Sequence, residues 1–281
     1  MSATDFAFAI RTGEHACCRT GHDEDRERLA LASLHAGLQR GHKVVYLCDG
    51  DRVDDTLARL RVTDAEVGSA LTRGQLAVRD AASVYSPNGT FDVEQMLEVV
   101  QGERAVALAE GYAGLSLTGD VSAGVDAAPG AERLAEYERR LDEEVGDSSQ
   151  VVLCQYDHEK FDATTLDDVC AAHRVDVPPA LAAIGRTGVL AAARAHTPDT
   201  LRLAGELDFE SAGSVAAALD EQFQEPFQMD LADLRFIDVA GIRMLRGPTD
   251  HVLTISAASE PVRRLVELLG WDTDPAVKIA A

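Results

Sequence analysis

The chain has 281 residues, 46% of them hydrophobic and 26% charged, with 48 acidic residues against 26 basic ones and a formal charge of -22. That length suits two ordinary domains, because one compact core rarely grows beyond roughly 250–300 residues, and the residue balance is that of a folded chain and not a disordered or fibrous one. So negative a field repels phosphate backbones and anionic lipid surfaces, which argues against nucleic-acid and membrane partners, and no apolar run approaches the ~20 residues of a spanning helix.

Residues 15–180 alternate short apolar runs with amphipathic stretches, the rhythm of βαβ units around a mainly parallel sheet. Strands are expected at 15–19, at 43–48, at 75–79, at either 105–109 or 114–118, and at 151–156. Between them fit helices at 23–40, with Leu29, Leu34 and Leu38 ahead of Gly41, at 51–61, and at 91–101 after Asn88-Gly89-Thr90. A further helix at 132–145 places Leu134, Tyr137, Leu141 and Val145 at spacings of three and four. Residues 119–130 are small and aperiodic and read as a loop.

Val177-Pro178-Pro179 halts that rhythm, and the helix-like residues 180–186 lead into a second region. Strands at 188–195 and 200–204, joined by His196-Thr197-Pro198-Asp199, read as a hairpin. After it come a helix at 210–222, a strand at 227–232, a short helix after Asp238, a strand at 251–256 and a helix at 259–269. The expected organisation is thus an α/β domain over 1–180 and a smaller α/β domain over 187–281. Cys17, Cys18, Cys48, Cys154 and Cys170 form no CxxC pair and fall mostly inside apolar runs, so a disulfide framework is not expected. No charged segment followed by an apolar one opens the chain, and a cytoplasmic location is expected.

A phosphate cradle of the GxxxxGK[ST] type is absent, as are GxGxxG and GxSxG. The turn after the first strand reads Gly21-His22-Asp23-Glu24-Asp25, whose carboxylates suit a helix dipole but repel a triphosphate, so no nucleotide cofactor is expected. His15 and Cys17 alternate on one strand and share a face, where an imidazole and a thiol can line a ligand pocket or simply pack in a core. Cys154 and His158 could complete a zinc set if the sheet brings them near, but two ligands do not make a site and no metal is assigned. Arg79 and Arg104 lie near expected strand ends, where open α/β sheets bind ligands, and are candidates to hold an anionic group. His22, His35, His42, His173, His196 and His251 have no HExxH or CxxC-like partners and read as surface or packing residues.

Glu14-His15-Ala16-Cys17, Leu117-Thr118-Gly119-Asp120, Leu134-Ala135-Glu136-Tyr137-Glu138, and Val152 to Asp157 followed by Phe161-Asp162 together resemble the MEDS sensory domain. That resemblance implies a RecA-like fold that senses an unidentified small molecule, with His15 and Cys17 at its site; the residues themselves add the missing P-loop and Cys154 as a further ligand-binding candidate. The usual aromatic residue after the Thr-Gly-Asp stretch is replaced by Val121-Ser122-Ala123. Gly205-Glu206-Leu207-Asp208 and Asp233 to Ile242 resemble the STAS family of sulfate transporters and anti-sigma-factor antagonists. Its bacterial antagonists carry a phosphorylated serine after the signature aspartate, whereas this chain reads Asp238-Val239-Ala240-Gly241. The resemblance implies that Glu206, Asp208, Asp238, Val239, Ala240 and Gly241 face an anti-sigma factor or switch kinase, while Asp238 as a helix cap, and Glu206 and Asp208 as turn or cap residues, have an equally good reading with no part in signalling; Arg246-Gly247-Pro248 cuts short the helix after the signature loop. The expected function is a non-enzymatic signalling regulator in control of transcription, with self-association left open. Two alternatives stand beside it: a cysteine- or metal-dependent enzyme at His15, Cys17 and Cys154, or a scaffold subunit without sensing.

Overall fold

In the computed structural model the described residues are 9–21, 23–125, 127–146, 148–184, 189–196, 198–222, 227–246 and 252–280. They divide into two units, residues 10–176 and residues from 177 onward. The first contains β1 (Glu14–Thr20), α1 (Asp23–Gln39), β2 (Lys43–Cys48), α2 (Val53–Thr63), α3 (Ala65–Thr72), β3 (Leu76–Asp80), α4 (Ala81–Tyr85), α5 (Val93–Ala109), β4 (Leu115–Asp120), α6 (Val121–Val125), α7 (Leu134–Val145), β5 (Gln150–Asp157) and α8 (Ala163–Cys170). A last short strand, β6 (Val175–Val177), ends at the boundary.

The sheet of this unit runs β6-β1-β5-β4-β2-β3. β1 with β5, β5 with β4, β4 with β2 and β2 with β3 are all parallel. Strand β2 shows why both faces must be covered: Val44, Tyr46 and Cys48 pack with Leu34 and Leu38 of α1 and Val67 of α3, whereas Val45 and Leu47 enter the core shared with α5 and α7. The mainly parallel α/β expectation holds.

Aspartates start many of the helices. Asp64, Asp80, Asp92, Asp120 and Asp162 accept backbone N–H bonds at the heads of α3, α4, α5, α6 and α8, so part of the acidic excess serves as capping.

Of the alternative strands, 114–118 holds as β4, whereas residues 105–109 form the last turns of α5, because this alanine-rich run favours helix and exposes Val106 and Leu108; other readings need correction or addition. The stretch 119–130 holds α6, whose small residues permit close packing: a Cβ on Gly124 would lie 2.4 Å from the Tyr85 ring. α3, α4 and β6 were not anticipated, being too short to show a period. A disulfide joins Cys17 to Cys170 across 153 residues, brought together by the packing of α8 on β1, while Cys18, Cys48 and Cys154 are free and buried.

The second unit contains α9 (Pro179–Ile184), β7 (Leu190–His196), β8 (Asp199–Leu207), α10 (Phe209–Gln222), β9 (Gln228–Ile237), α11 (Val239–Arg246), β10 (Leu253–Ala258), α12 (Glu260–Leu268) and β11 (Val277–Ile279). The hairpin β7–β8 is antiparallel as expected, and β8–β9, β9–β10 and β10–β11 are parallel. Leu201, Leu203, Leu231, Ile255, Ile242, Val262 and Val266 fill its core. β9 runs past the expected 227–232 to Ile237, and β11 is additional. Of the expected features, His22, Gly185, Arg186, Gly188, Thr197, Gly247, Pro248 and His251 lie outside the described residues.

Candidate functional site

Parallel pairing sets Cys17 opposite Cys154, and His15, two residues before Cys17, faces the same side of the sheet toward α7. α7 buries Leu134, Tyr137, Leu141 and Val145, and on that same face it also buries Glu138 and Asp142. Its Glu138 carboxylate enters the core beside His15. His15 Nε2 lies 3.1 Å from Glu138 Oε2 and 3.2 Å from Cys154 Sγ. Cys154 Sγ lies 3.6 Å from the same carboxylate oxygen, and His173 Nε2, from the turn after α8, lies 3.5 Å from it. The donor atoms of His15, Glu138, Cys154 and His173 all fall within 4.8 Å of one another, and all four residues are buried.

The surroundings orient these groups. The Tyr156 hydroxyl donates to Glu138 Oε1, His173 Nδ1 lies 2.9 Å from the Val169 carbonyl oxygen, and His15 Nδ1 lies 3.9 Å from Asp142 Oδ1. Asp142 is itself held by Arg174, whose Nε donates to Oδ2 at 2.6 Å. Burial alone would push the Glu138 carboxyl up, yet the His15 hydrogen bond and the approach of His173 hold it well below the usual carboxylate range. Burial, reinforced by the neighbouring His173, lowers His15 to about 4, so its ring is neutral at physiological pH. Burial and the Glu138 charge push the Cys154 thiol well up, the opposite of what a nucleophilic cysteine needs.

Of the ligand candidates read from the sequence, His15 and Cys154 meet here. Cys17 faces the same side but is bonded to Cys170. His158 takes no part, since its ring packs on Gly21, where a Cβ would lie 1.8 Å away. Its expected place is filled by His173, which had been read as a surface or packing residue; nothing local to one histidine 35 residues beyond Glu138 signals the meeting. Arg79 forms a two-pronged ion pair with Glu103, at 2.5 and 3.2 Å, on a shallow cleft of 440 Å³ also lined by Ser83, Val84 and Gln95. Arg104 sits on α5 and not at a strand end.

A second buried polar cluster closes the C-terminal ends of β1, β4 and β5. Arg26 of α1 donates to Asp120 at 3.1 Å, to Asp157 at 2.9 Å and to Thr20 Oγ1 at 3.4 Å. Ser122 Oγ accepts from the Asp157 N–H at 2.7 Å. Two carboxylates, with their one guanidinium already engaged, thus occupy the strand ends at which phosphates bind in nucleotide-binding α/β proteins. Titration of ATP into the full chain is expected to give no saturable heat; micromolar binding would overturn this reading.

In the second unit the signature residues gather at the C-terminal ends of β8 and β9. Asp208 Oδ1 accepts from Glu210 N at 3.0 Å and Ser211 N at 2.9 Å, capping α10. Asp238 accepts from Gly241 N at 2.7 Å, capping α11, and through its other oxygen from Phe209 N at 3.1 Å, tying the two helix starts together. Around this cap Phe209, Phe236 and Val239 are 78%, 48% and 41% exposed. Gly241 fits where it does because a Cβ would lie 2.9 Å from the Leu207 carbonyl oxygen. Glu206 is half-buried at the C-terminal end of β8, and Ala240 lies beside Val239 at the head of α11.

A mainly parallel α/β domain without a phosphate loop, followed by a small α/β domain with an apolar collar at its capped loop, defines a signalling regulator of the sensory-plus-STAS class. The chain belongs to the MEDS family, the methanogen/methylotroph, DcmR sensory domain, whose model matches residues 14–174. Residues 190–279 match the family model described as Mlab, STAS domain. Among solved structures, the flagellar accessory protein FlaH from Methanocaldococcus jannaschii is similar at 11% identity and a TM-score of 0.45, covering 60% of this chain and 72% of that one. The KaiC-like protein PH0186 from Pyrococcus horikoshii OT3 is similar at 14% identity and a TM-score of 0.43, covering 60% and 74%. No curated protein matches the chain. Among the described residues no helix is long and apolar enough to cross a membrane.

Proposed function

We propose that the chain is a non-enzymatic regulator in which a small-molecule signal received by the MEDS domain changes what the STAS-like domain offers to an anti-sigma factor or switch kinase. The observation that carries this reading is the exposed collar of Phe209, Phe236 and Val239 around the Asp238 cap, since large apolar side chains grouped in water mark interaction sites. The absence of a catalytic role is supported by the burial of His15 and Cys154 and by a thiol pushed up, not down.

Control by phosphorylation of the signature loop does not fit. Val239 and Ala240 have no hydroxyl, and Ser211 is 3% exposed with its Oγ engaged by the Asp208 N–H at 2.9 Å. A phosphate would add roughly -1.5 to -2 charges beside an apolar collar, and that lever is missing here. The test is affinity capture of the full chain from its host, with partner identification and phosphate mapping by mass spectrometry, alongside Val239→Ser. An anti-sigma factor or switch kinase bound to unphosphorylated wild type, with phosphate appearing only in the variant, is the expected result. Stoichiometric modification of Ser211 or of the exposed Ser214 that releases the partner would overturn it.

A further inference from the structure

We propose that His15, Glu138, Cys154 and His173 form a metal site that takes one Zn2+ ion inside the MEDS domain, a site that stands independently of partner binding. Two imidazoles, a thiol and a carboxylate are the donor types of four-coordinate zinc. The spacing fits as well. With metal–ligand bonds of about 2.0–2.3 Å, the edges of a tetrahedron come to ~3.3–3.8 Å; four of the six separations here are 3.1, 3.2, 3.5 and 3.6 Å, and all six lie within 4.8 Å, so binding draws His173 inward toward His15 and Cys154.

The atoms around these donors are arranged as ligands require. His173 Nε2 is buried and makes no hydrogen bond, although it lies only 3.5 Å from Glu138 Oε2. Its other nitrogen, Nδ1, faces the Val169 carbonyl, which fixes the proton there and turns the Nε2 lone pair toward the cluster. His15 likewise turns Nε2 toward Glu138 Oε2 and the thiol, while its buried Nδ1 lies 3.9 Å from Asp142 Oδ1, beyond hydrogen-bond distance. The Tyr156 hydroxyl holds the second Glu138 oxygen, leaving Oε2 to face the two histidines and the thiol. All four donors come from the protein, on β1, α7, β5 and the turn after α8, so the site is closed in the manner of structural zinc and not open to a substrate. A buried carboxylate among neutral donors is expensive, and a divalent ion would compensate its charge.

The experiment uses the full chain, stripped with a chelator under reducing conditions and titrated with Co2+ and then with Zn2+ against a competing chromophoric chelator. One equivalent of Co2+ should bind with the strong visible absorption of a tetrahedral site and a thiolate-to-cobalt charge-transfer band, both displaced by Zn2+. Cys154→Ser should abolish the charge-transfer band, and His173→Ala should weaken zinc by at least ~100-fold, since losing even an outer partner such as the Tyr156 hydroxyl costs roughly 10–100-fold. His158→Ala should bind as wild type does. If a variant fails to fold, the wild-type titration still decides. Absence of stoichiometric binding by the stripped wild type, an octahedral cobalt spectrum, or zinc binding unchanged in both Cys154→Ser and His173→Ala would overturn the site.

Discussion

Replacing Arg26 by methionine is expected to cost the MEDS domain about 3–5 kcal/mol at neutral pH, the usual penalty for removing one partner of a buried ionic cluster. Its guanidinium faces Asp120 and Asp157 at 3.1 and 2.9 Å, so methionine keeps the volume but leaves two carboxylates facing each other out of water. pH sets the size of the loss. Burial already raises the Asp120 carboxyl above the ordinary value, against the pull of Arg26. A carboxyl raised in the folded state contributes stability below its unfolded value and loses that contribution as pH rises through the folded one. Without Arg26 the rise becomes larger, so the penalty is greatest at neutral pH and shrinks as acid protonates Asp120.

Urea unfolding can follow the two units separately, because all five tyrosines lie between Tyr46 and Tyr156 and the single tryptophan is Trp271. The tyrosine-reported transition should move sharply in Arg26→Met, less at acid pH than at neutral. A loss below about 1 kcal/mol at neutral pH, or one that does not vary with pH, would show that the cluster is solvated and weak.

What the sequence disclosed and what it concealed follow from the same physics. β2 was legible because a parallel strand buried on both faces must be apolar almost throughout, as Val44 to Cys48 are. α7 was legible because its leucines, tyrosine and valine recur on one stripe, but that period concealed its most consequential members. Glu138 and Asp142 sit on the stripe, and a carboxylate in an amphipathic helix reads as solvent-facing until its partners are known. The partners lay on β1, on β5 and beyond α8, and no spacing along the chain encodes that meeting. Arg26 shows the same blindness, since an arginine in a run of acids reads as a surface charge and its burial depends on strand ends far along the chain. The caps of the STAS-type loop were legible for the opposite reason: Asp208 and Asp238 each accept from an amide two or three residues ahead, a local role, whereas the second bond of Asp238, to Phe209 N across 29 residues, was not.

Substituting aspartate for both Phe209 and Val239 is expected to abolish capture of the partner while leaving the STAS-like domain folded. The two side chains are 78% and 41% exposed at the heads of α10 and α11, and Asp238 ties those heads together through backbone N–H groups that the substitutions leave intact. Exposed positions outside packed cores change stability by about 0.5 kcal/mol or less, so the tryptophan-reported unfolding of Trp271 should scarcely move. Binding should respond very differently. An aromatic anchor buried at the centre of an interface is worth about 2 kcal/mol or more, roughly 30-fold in affinity, and a carboxylate in its place adds the desolvation of a charge. The control is Leu268→Asp, since Leu268 is 74% exposed in the last turn of α12, which runs back from the strand ends where Phe209 and Val239 lie. Affinities are measured for whichever protein is recovered with the wild-type chain. Loss of binding in Phe209→Asp/Val239→Asp with binding kept in Leu268→Asp assigns recognition to the capped loop, whereas equal retention in both variants would remove the collar from the interface.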